Sequence, residues 1–268
     1  MAIPSGAGTT VAQPIVVTPQ PDHLPPRVLI QASVPGATSI TVYRTDPDGR
    51  VRPVRAASPA PATGGTIIAA DYESWTDKPC TYRAVSESGA SVVSAPVTLW
   101  IPDSWLRHPA SPSLSFSPVV KSLTGLNRPS REAVNLVMGR ATPVIVPDGG
   151  RKELQGTLAV YTFDQSDVVR LLALTNAQVP LLFDSPFSWG WDITHSYLYL
   201  GSATIDNPAA TGTSQTRIWN FPFWVVDRPD GPQQPERTYA DLDAEQLTYT
   251  ALNASYASYL DMLAGTPS

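Results

Sequence analysis

The chain has little cysteine, little lysine and little charge. Among its 268 residues are one cysteine, Cys80, and three lysines against fifteen arginines. A single cysteine excludes an intramolecular disulfide and a cysteine-based structural zinc site, and it is typical of a chain that folds in a reducing compartment. Charged residues make up only 15% of the chain, so extended ionic surfaces are not expected.

Long apolar runs and basic clusters are also missing. No stretch approaches the ~20 consecutive apolar residues that span a bilayer, so we expect no membrane insertion. The first ten residues, MAIPSGAGTT, lack the basic and apolar regions of a secretory signal peptide. Because a phosphate backbone is held by clustered lysine and arginine, we expect no nucleic-acid binding.

The motifs of common catalytic and cofactor sites do not occur. The sequence has no His-Glu-x-x-His or Cys-x-x-Cys metal motif, no Gly-x-Ser-x-Gly nucleophile turn and no glycine-rich nucleotide loop. Its histidines, His23, His108 and His195, lie in proline-rich or loop segments. We therefore expect no catalytic residue, no cofactor, no metal site and no enzymatic activity.

Proline and strand-forming residues are abundant instead. The 28 prolines alternate with segments rich in Val, Thr, Ser and Tyr, which favours strands joined by turns over a helical bundle. The shifts in composition predict an extended N-terminal arm (1–26), a first β unit (27–101), a proline-rich linker (102–130), a second β unit (131–229) and a helical tail (230–268). The net charge of −5 lies entirely in residues 227–268, which carry two basic and seven acidic side chains.

The first β unit consists of short segments, several of them alternating, that predict about six strands. Residues 81–85 (TYRAV), Gly89 and residues 94–98 (SAPVT) resemble the last two strands of a fibronectin type III domain. The resemblance implies an immunoglobulin-like β-sandwich. Its subtype stays open, because the family's early-strand tryptophan is missing and Trp75 lies elsewhere.

The second β unit contains one clear helical pattern, at about residues 164–176. Asp164 or Ser166 can cap it, and Val168, Leu171, Leu172 and Thr175 form an apolar stripe at helical spacing. Strand-like segments lie on both sides, two of them joined across the turn at residues 148–150. The order β-β-β-α-β-β-β predicts an antiparallel sheet or barrel with one flanking helix.

The tail predicts a second helix, at about residues 239–263, with an apolar seam. Leucine and tyrosine recur at a spacing close to seven residues, as in helices that pack along one side. The seam is a candidate subunit interface, or it covers part of its own chain. Its members are Leu242, Tyr249, Leu252, Tyr256, Tyr259 and Leu263.

An aromatic loop in the second unit is a candidate binding site. Trp189 and Trp191 can stack on the apolar C–H face of a sugar ring, with Asp184 and Asp192 near enough to accept hydroxyl hydrogen bonds. The alternative is that both tryptophans pack at a barrel rim or a subunit contact, where aromatic residues are enriched.

The second unit contains a run of features in a fixed order: residues 139–144, the stretch RKELQGTL at 151–158, the helix at 167–174, residues 180–183 and Trp189-Gly190. The run closes on its most specific part, WNFPFWVVDRP at residues 219–229, and residues 237–241 (RTYAD) follow. In these features the second unit resembles the β-barrel domain of siphophage distal tail proteins, of the minor tail protein type found in actinobacterial phages, and RTYAD resembles the segment after that barrel.

The resemblance implies a mainly β structural protein of a long-tailed phage virion. Such a protein forms a ring, expected to be a hexamer with a trimer as the alternative, that joins the tail tube to the tip or baseplate. Its partners would be other copies of itself, the tail tube protein, the tape measure protein and hub or baseplate proteins. It would assemble in the host cytoplasm and reside in the virion tail. The alternatives are a carbohydrate-binding adhesion module of the virion and a secreted hydrolase that contains a sandwich domain.

Overall fold

The protein is described by a computed structural model over residues 15–130, 132–135, 138, 142, 144–147, 152–191, 193–208 and 214–232. Strands take up 47% of the structure and helices 11%, so the fold is mainly β, with antiparallel sheets, as the sequence predicts. No helix in these ranges is long and apolar enough to cross a membrane.

The strands form four sheets, and each sheet is identified below by its strand order. Their bounds are β1 (Val16–Gln20), β2 (Arg27–Ser33), β3 (Ser39–Thr45), β4 (Val51–Pro53), β5 (Ala60–Pro61), β6 (Thr66–Asp71), β7 (Pro79–Ser86), β8 (Ser91–Val93), β9 (Val97–Thr98), β10 (Trp105–Arg107), β11 (Val119–Asn127), β12 (Glu132–Asn135), β13 (Val144–Pro147), β14 (Gln155–Thr162), β15 (Leu181–Asp184), β16 (His195–Leu200), β17 (Thr204–Asp206) and β18 (Arg217–Val226). The α-helix is α1 (Gln165–Asn176), and short 3-10 turns lie at Arg55–Ala57, Pro112–Leu114 and Phe187–Trp189.

The first unit has two sheets around one core. A three-stranded sheet runs in the order β1-β2-β6, and a six-stranded sheet has the order β4-β3-β7-β8, with β5 beside β3 and β9 beside β7. Alternate residues of the strands are buried, for example Ile40 and Val42 of β3 and Val28 and Ile30 of β2. The buried side chains of both sheets form one apolar cluster.

A buried ionic cluster links these two sheets. Arg44 on β3 contacts Asp71 on β6 at 2.8 Å and Asp46 at 2.5 Å, and the Tyr82 hydroxyl on β7 donates to Asp71 at 3.0 Å. Burial alone would raise the pKa of Asp71, but the Arg44 charge and the hydrogen bonds outweigh it and lower that pKa. The cluster therefore keeps Asp71 ionised inside the unit.

The second unit is built on a seven-stranded antiparallel sheet. Its strand order is β10-β15-β16-β18-β14-β11, with β17 beside β18. The outer strand β10 also exchanges two backbone hydrogen bonds, of 2.8 and 2.9 Å, between Leu106 and Phe116, and Phe116 lies shortly before the other outer strand, β11. The inner faces of these strands share one apolar core with α1.

The helix prediction is confirmed, and two carboxylates accept backbone N–H groups at its N-terminus. The Asp164 side chain accepts the backbone N–H of Asp167 at 2.9 Å, and the Asp167 side chain accepts the N–H of Phe163 at 3.1 Å. Leu171 is fully buried, but Leu172 of the predicted stripe is 39% exposed. The helix therefore packs on a narrower face than its sequence pattern predicts.

Two segments predicted to lie outside the sheets belong to them. Within the predicted arm, β1 pairs with β2. The predicted linker at 102–130 supplies β10 and β11 to the second sheet, so the linker prediction is wrong. The chain passes from one core to the other within β10, because Trp105 packs in the first core and Leu106 in the second. Prolines in this segment lie between the strands and do not prevent pairing.

Strands β12 and β13 form a two-stranded ribbon that extends from the second sheet. β11 pairs with β14, the Lys152 N–H continues that pairing to the Pro129 carbonyl at 2.9 Å, and β12 then pairs with β13. Both strands predicted on either side of residues 148–150 are present, as β13 and β14, but they do not pair with each other, because each has another partner. We call β12 and β13 the β-ribbon.

Candidate functional site

One set of contacts between the two units lies along Tyr72–Asp77, the segment of the first unit that follows β6. The Tyr72 carbonyl accepts a hydrogen bond from Arg107 at 2.8 Å, and the Trp75 ring stacks on His195 with centroids 4.5 Å apart. Glu73 and Asp77 also bind residues of the second unit, as described below. We call this segment and its contacts the junction.

Glu73 is the centre of the junction. Its side chain is 3% exposed and accepts hydrogen bonds from Arg55 at 2.9 Å, from Arg228 at 3.1 Å and from the Tyr197 hydroxyl. Burial disfavours its charge, but the hydrogen bond and charge of Arg228, with the charge of Arg55, lower the pKa of Glu73. Arg55 belongs to the first unit and the other two donors to the second, so one carboxylate ties both units together.

Asp184 forms a second buried ionic cluster beside the junction. It is fully buried and contacts Arg107 at 3.0 Å and His195 Nδ1 at 2.5 Å. The sequence places Asp184 near the aromatic loop as an acceptor for sugar hydroxyls. That prediction is wrong, because its carboxylate is enclosed and already engaged. The other predicted acceptor, Asp192, lies outside the described residues.

The aromatic loop contains one exposed and one supporting tryptophan. Phe187, Ser188 and Trp189 form a 3-10 turn, in which Phe187 is 59% and Trp189 41% exposed. Trp191 is half-buried, stacks on Phe183 of the core at 6.2 Å and meets Trp189 edge-on at 4.9 Å. Trp191 therefore lies between Trp189 and the core and supports Trp189, and it is itself less exposed. We call residues 187–189 the aromatic turn.

Two residues of the first unit hold the aromatic turn. The Phe187 N–H donates to the Asp77 carboxylate at 2.9 Å, and the Lys78 ammonium lies 5.0 Å from the Trp75 ring centroid and 5.4 Å from that of Phe187. Asp77 itself adopts φ +61°, which is uncommon for a non-glycine residue. Sequence reasoning missed both residues, because they lie more than a hundred positions before the turn.

The histidines have structural surroundings. His23 Nδ1 is hydrogen-bonded with the Pro25 carbonyl at 2.9 Å, and His108 Nδ1 accepts the Ser111 N–H at 2.8 Å. Burial lowers the pKa of His108. Among the described residues, no group of three or more His, Cys, Asp and Glu is placed to hold a metal ion. The predicted seam at residues 242–263 lies outside the described residues.

Comparisons with known proteins assign no family to the chain. No protein-family model matches it, and no curated protein matches it.

Proposed function

We propose that the chain is a structural virion protein of a long-tailed phage tail tip, in which copies form a ring between the tail tube and the tip or baseplate. In this proposal the first unit is an immunoglobulin or fibronectin type III-like sandwich and the second a tail-tube-like barrel. The β-ribbon is the observation that carries the proposal, because a two-stranded sheet apart from the main sheets is suited to contact with another chain.

An isolated two-stranded ribbon is at best marginally stable in water. The β-ribbon forms a sheet of its own, apart from the seven-stranded sheet. Its sequence is nonetheless apolar, with Ala-Val in β12 and Val-Ile-Val in β13, and Met138, between the two strands, is 99% exposed. Packing against a neighbouring copy would bury Met138 and stabilise the ribbon, as a closed ring requires of each subunit.

The two segments that carry the family resemblance are neighbours in the sheet. Gly156 and Thr157 of β14 pair with Phe223 and Pro222 of β18. A Cβ at Gly156 would lie 2.9 Å from the Thr124 carbonyl oxygen, so glycine lets β11 approach β14 closely. This pairing supports the resemblance, since residues 65 positions apart in sequence form one structural feature.

The bridge between Leu106 and Phe116 supports a barrel. It joins the outer strand β10 to the chain that enters the opposite outer strand, β11. A bridge at this position pairs backbone N–H and C=O groups of β10 that would otherwise be unpaired at the edge of an open sheet. A closed unit of this kind suits a subunit that assembles only through dedicated surfaces.

The junction supports a role as a mechanical connector. Arg55 not only binds Glu73 but also donates to the carbonyls of Gly231, at 2.6 Å, and Pro229. The first unit therefore holds the segment that leads to the tail, next to the WNFPFWVVDRP ending. A rigid pair of units with anchored contact segments fits a mechanical connector between tube and tip.

The remaining parts of the proposal follow from the family. The partners would be the tail tube, tape measure and hub or baseplate proteins, and the location the virion tail after assembly in the host cytoplasm. The role needs no catalytic step or cofactor. The acidic tail, with its predicted seam from Leu242 to Leu263, would supply a second contact between subunits.

Removal of the β-ribbon tests the proposal. Because Pro129 and Lys152 are directly paired, an Asn-Gly turn can replace residues 130–151 without disturbing the sheet. We expect the wild-type chain to sediment as a closed oligomer and the ribbon-less chain as a monomer with an unchanged far-ultraviolet spectrum. Met138→Glu is a milder variant that should weaken assembly without affecting folding.

A matched control changes an exposed apolar residue elsewhere. Val93→Glu alters a residue that is 59% exposed on the first unit and should leave the oligomer intact. A wild-type chain that stays monomeric at high concentration, or a ribbon-less chain that assembles as well as the wild type, would overturn the proposal.

A further inference from the structure

The aromatic turn is a surface that folding alone does not explain. Phe187 and Trp189 expose 59% and 41% of their surface two residues apart, with exposed Ser188 between them. Burial of either ring in the core would have stabilised the fold, since a large apolar side chain contributes roughly 1.5–3 kcal/mol when buried. Two adjacent exposed rings therefore point to a binding surface.

The turn is held in one arrangement before any ligand arrives. Asp77 fixes the Phe187 backbone at 2.9 Å, and Trp191 supports Trp189 edge-on at 4.9 Å. Gly190, with φ +67°, closes the turn. Rings that are already fixed lose little conformational entropy on binding, which favours recognition of weakly bound ligands.

One positive charge accompanies the rings. The Lys78 ammonium lies over the rings of Trp75 and Phe187, and it forms no ion pair with any residue that the structure describes. Cation–π contacts of this kind leave the charge available to an anion. The surface thus combines apolar ring faces, a hydroxyl and an unneutralised cation.

We propose that the aromatic turn, with Lys78, binds an acidic polysaccharide built of hexopyranose rings. The apolar C–H face of a pyranose stacks on Trp189 and Phe187, Ser188 exchanges hydrogen bonds with ring hydroxyls, and Lys78 pairs with a carboxylate of the sugar. We favour a polysaccharide over a protein partner, because a protein partner would need a larger continuous apolar area than the aromatic turn offers. The binding is independent of ring assembly, so it can fail while the proposed tail function stands.

Two hexasaccharides with the same backbone test the proposal. Cellohexaose and the β-1,4-linked hexamer of glucuronic acid differ only at C6, which is a hydroxymethyl group in one and a carboxylate in the other. Titration calorimetry of the full chain at low salt should show the acidic hexamer binding several-fold more tightly. We expect Trp189→Ala to weaken both about tenfold or more, which corresponds to at least 1.4 kcal/mol.

Lys78→Gln should weaken binding of the acidic hexamer several-fold more than binding of cellohexaose, so that the two sugars bind with similar affinities. Phe163→Ala is the matched control, because Phe163 is 51% exposed beyond the end of β14 that pairs with Arg217, at the opposite end of the sheet from the turn, and it should change neither affinity. Failure of both sugars to bind at millimolar concentration would overturn the proposal. Equal binding of both by the wild type would overturn the acidic assignment, and loss of oligomer mass in Trp189→Ala without sugar binding would make the turn a protein contact.

Discussion

Replacing Glu73 with glutamine should uncouple the two units. The substitution keeps the shape of the side chain but removes the charge that Arg55 and Arg228 share. Both arginines would then be left without their shared counterion, Arg55 at 4% side-chain exposure and Arg228 at 16%. Removal of one partner of a buried ion pair costs about 3–5 kcal/mol, and the partial exposure of Arg228 places the expected loss near the lower end.

Urea unfolding followed by tryptophan fluorescence measures this loss. The wild type should unfold in one transition, because the junction makes the units interdependent, whereas Glu73→Gln should unfold earlier or in two steps. Glu153→Gln is the control, since Glu153 is exposed on the second unit and should change the free energy of unfolding by less than about 0.5 kcal/mol.

The pH dependence of the free energy of unfolding tests the role of Glu73 in a second way. The folded-state pKa of Glu73 lies below its ordinary value of 4.5, so its contribution to stability is present above pH 4.5 and is lost as the pH falls through the folded-state pKa. Between pH 5 and strongly acidic conditions, Glu73→Gln should therefore lose less stability than the wild type. A loss below about 1 kcal/mol at neutral pH, with identical pH profiles, would refute the junction's role.

Two further predictions concern the cores. Burial raises the pKa of the Cys80 thiol to about 11, so the native protein should resist iodoacetamide at pH 8 and react fully once denatured; rapid labelling of the native protein would contradict this. Gly156→Ala should lower the free energy of unfolding by roughly 1–3 kcal/mol, since the added Cβ would lie 2.8 Å from Leu126 Cδ2 and 2.9 Å from a backbone oxygen. An unchanged thermal midpoint would show that β11 shifts without cost.

Local patterns predicted local structure well. The short alternating segments of the first unit predicted strands, which the unit contains, and the helical spacing after Asp164 predicted α1 together with its cap. These features depend on neighbours within about four residues, which sequence periodicity captures. The mainly β class followed from the same patterns.

Long-range pairing was not predictable in the same way. Prolines at residues 109–129 suggested a linker over residues 102–130, yet β10 and β11 within those bounds pair with β15 and β14, because a proline-free stretch of three to nine residues is enough for a strand. The partners of β13 and β14 were not predictable either, since an Asp-Gly-Gly sequence favours a turn without specifying which strands it joins.

The candidate site shows the same limit. Trp189 was identified as an exposed aromatic residue, but Trp191 proved to be its support and Asp184 a buried ionic partner of Arg107. Glu73 has no motif around it, and its importance comes from Arg55, Arg228 and Tyr197, which only the fold brings together. Residues that act through contacts between units carry no local signal.

Electron-microscopic images of the purified protein at high concentration would show whether its copies form a ring. Each chain has a mass of 28.7 kDa, so a ring of several copies is large enough to be recognised in averaged images. We predict closed rings with sixfold symmetry that disappear when residues 130–151 are replaced by Asn-Gly. A field of single chains in the wild type would contradict the ring itself, and threefold particles would contradict its predicted symmetry.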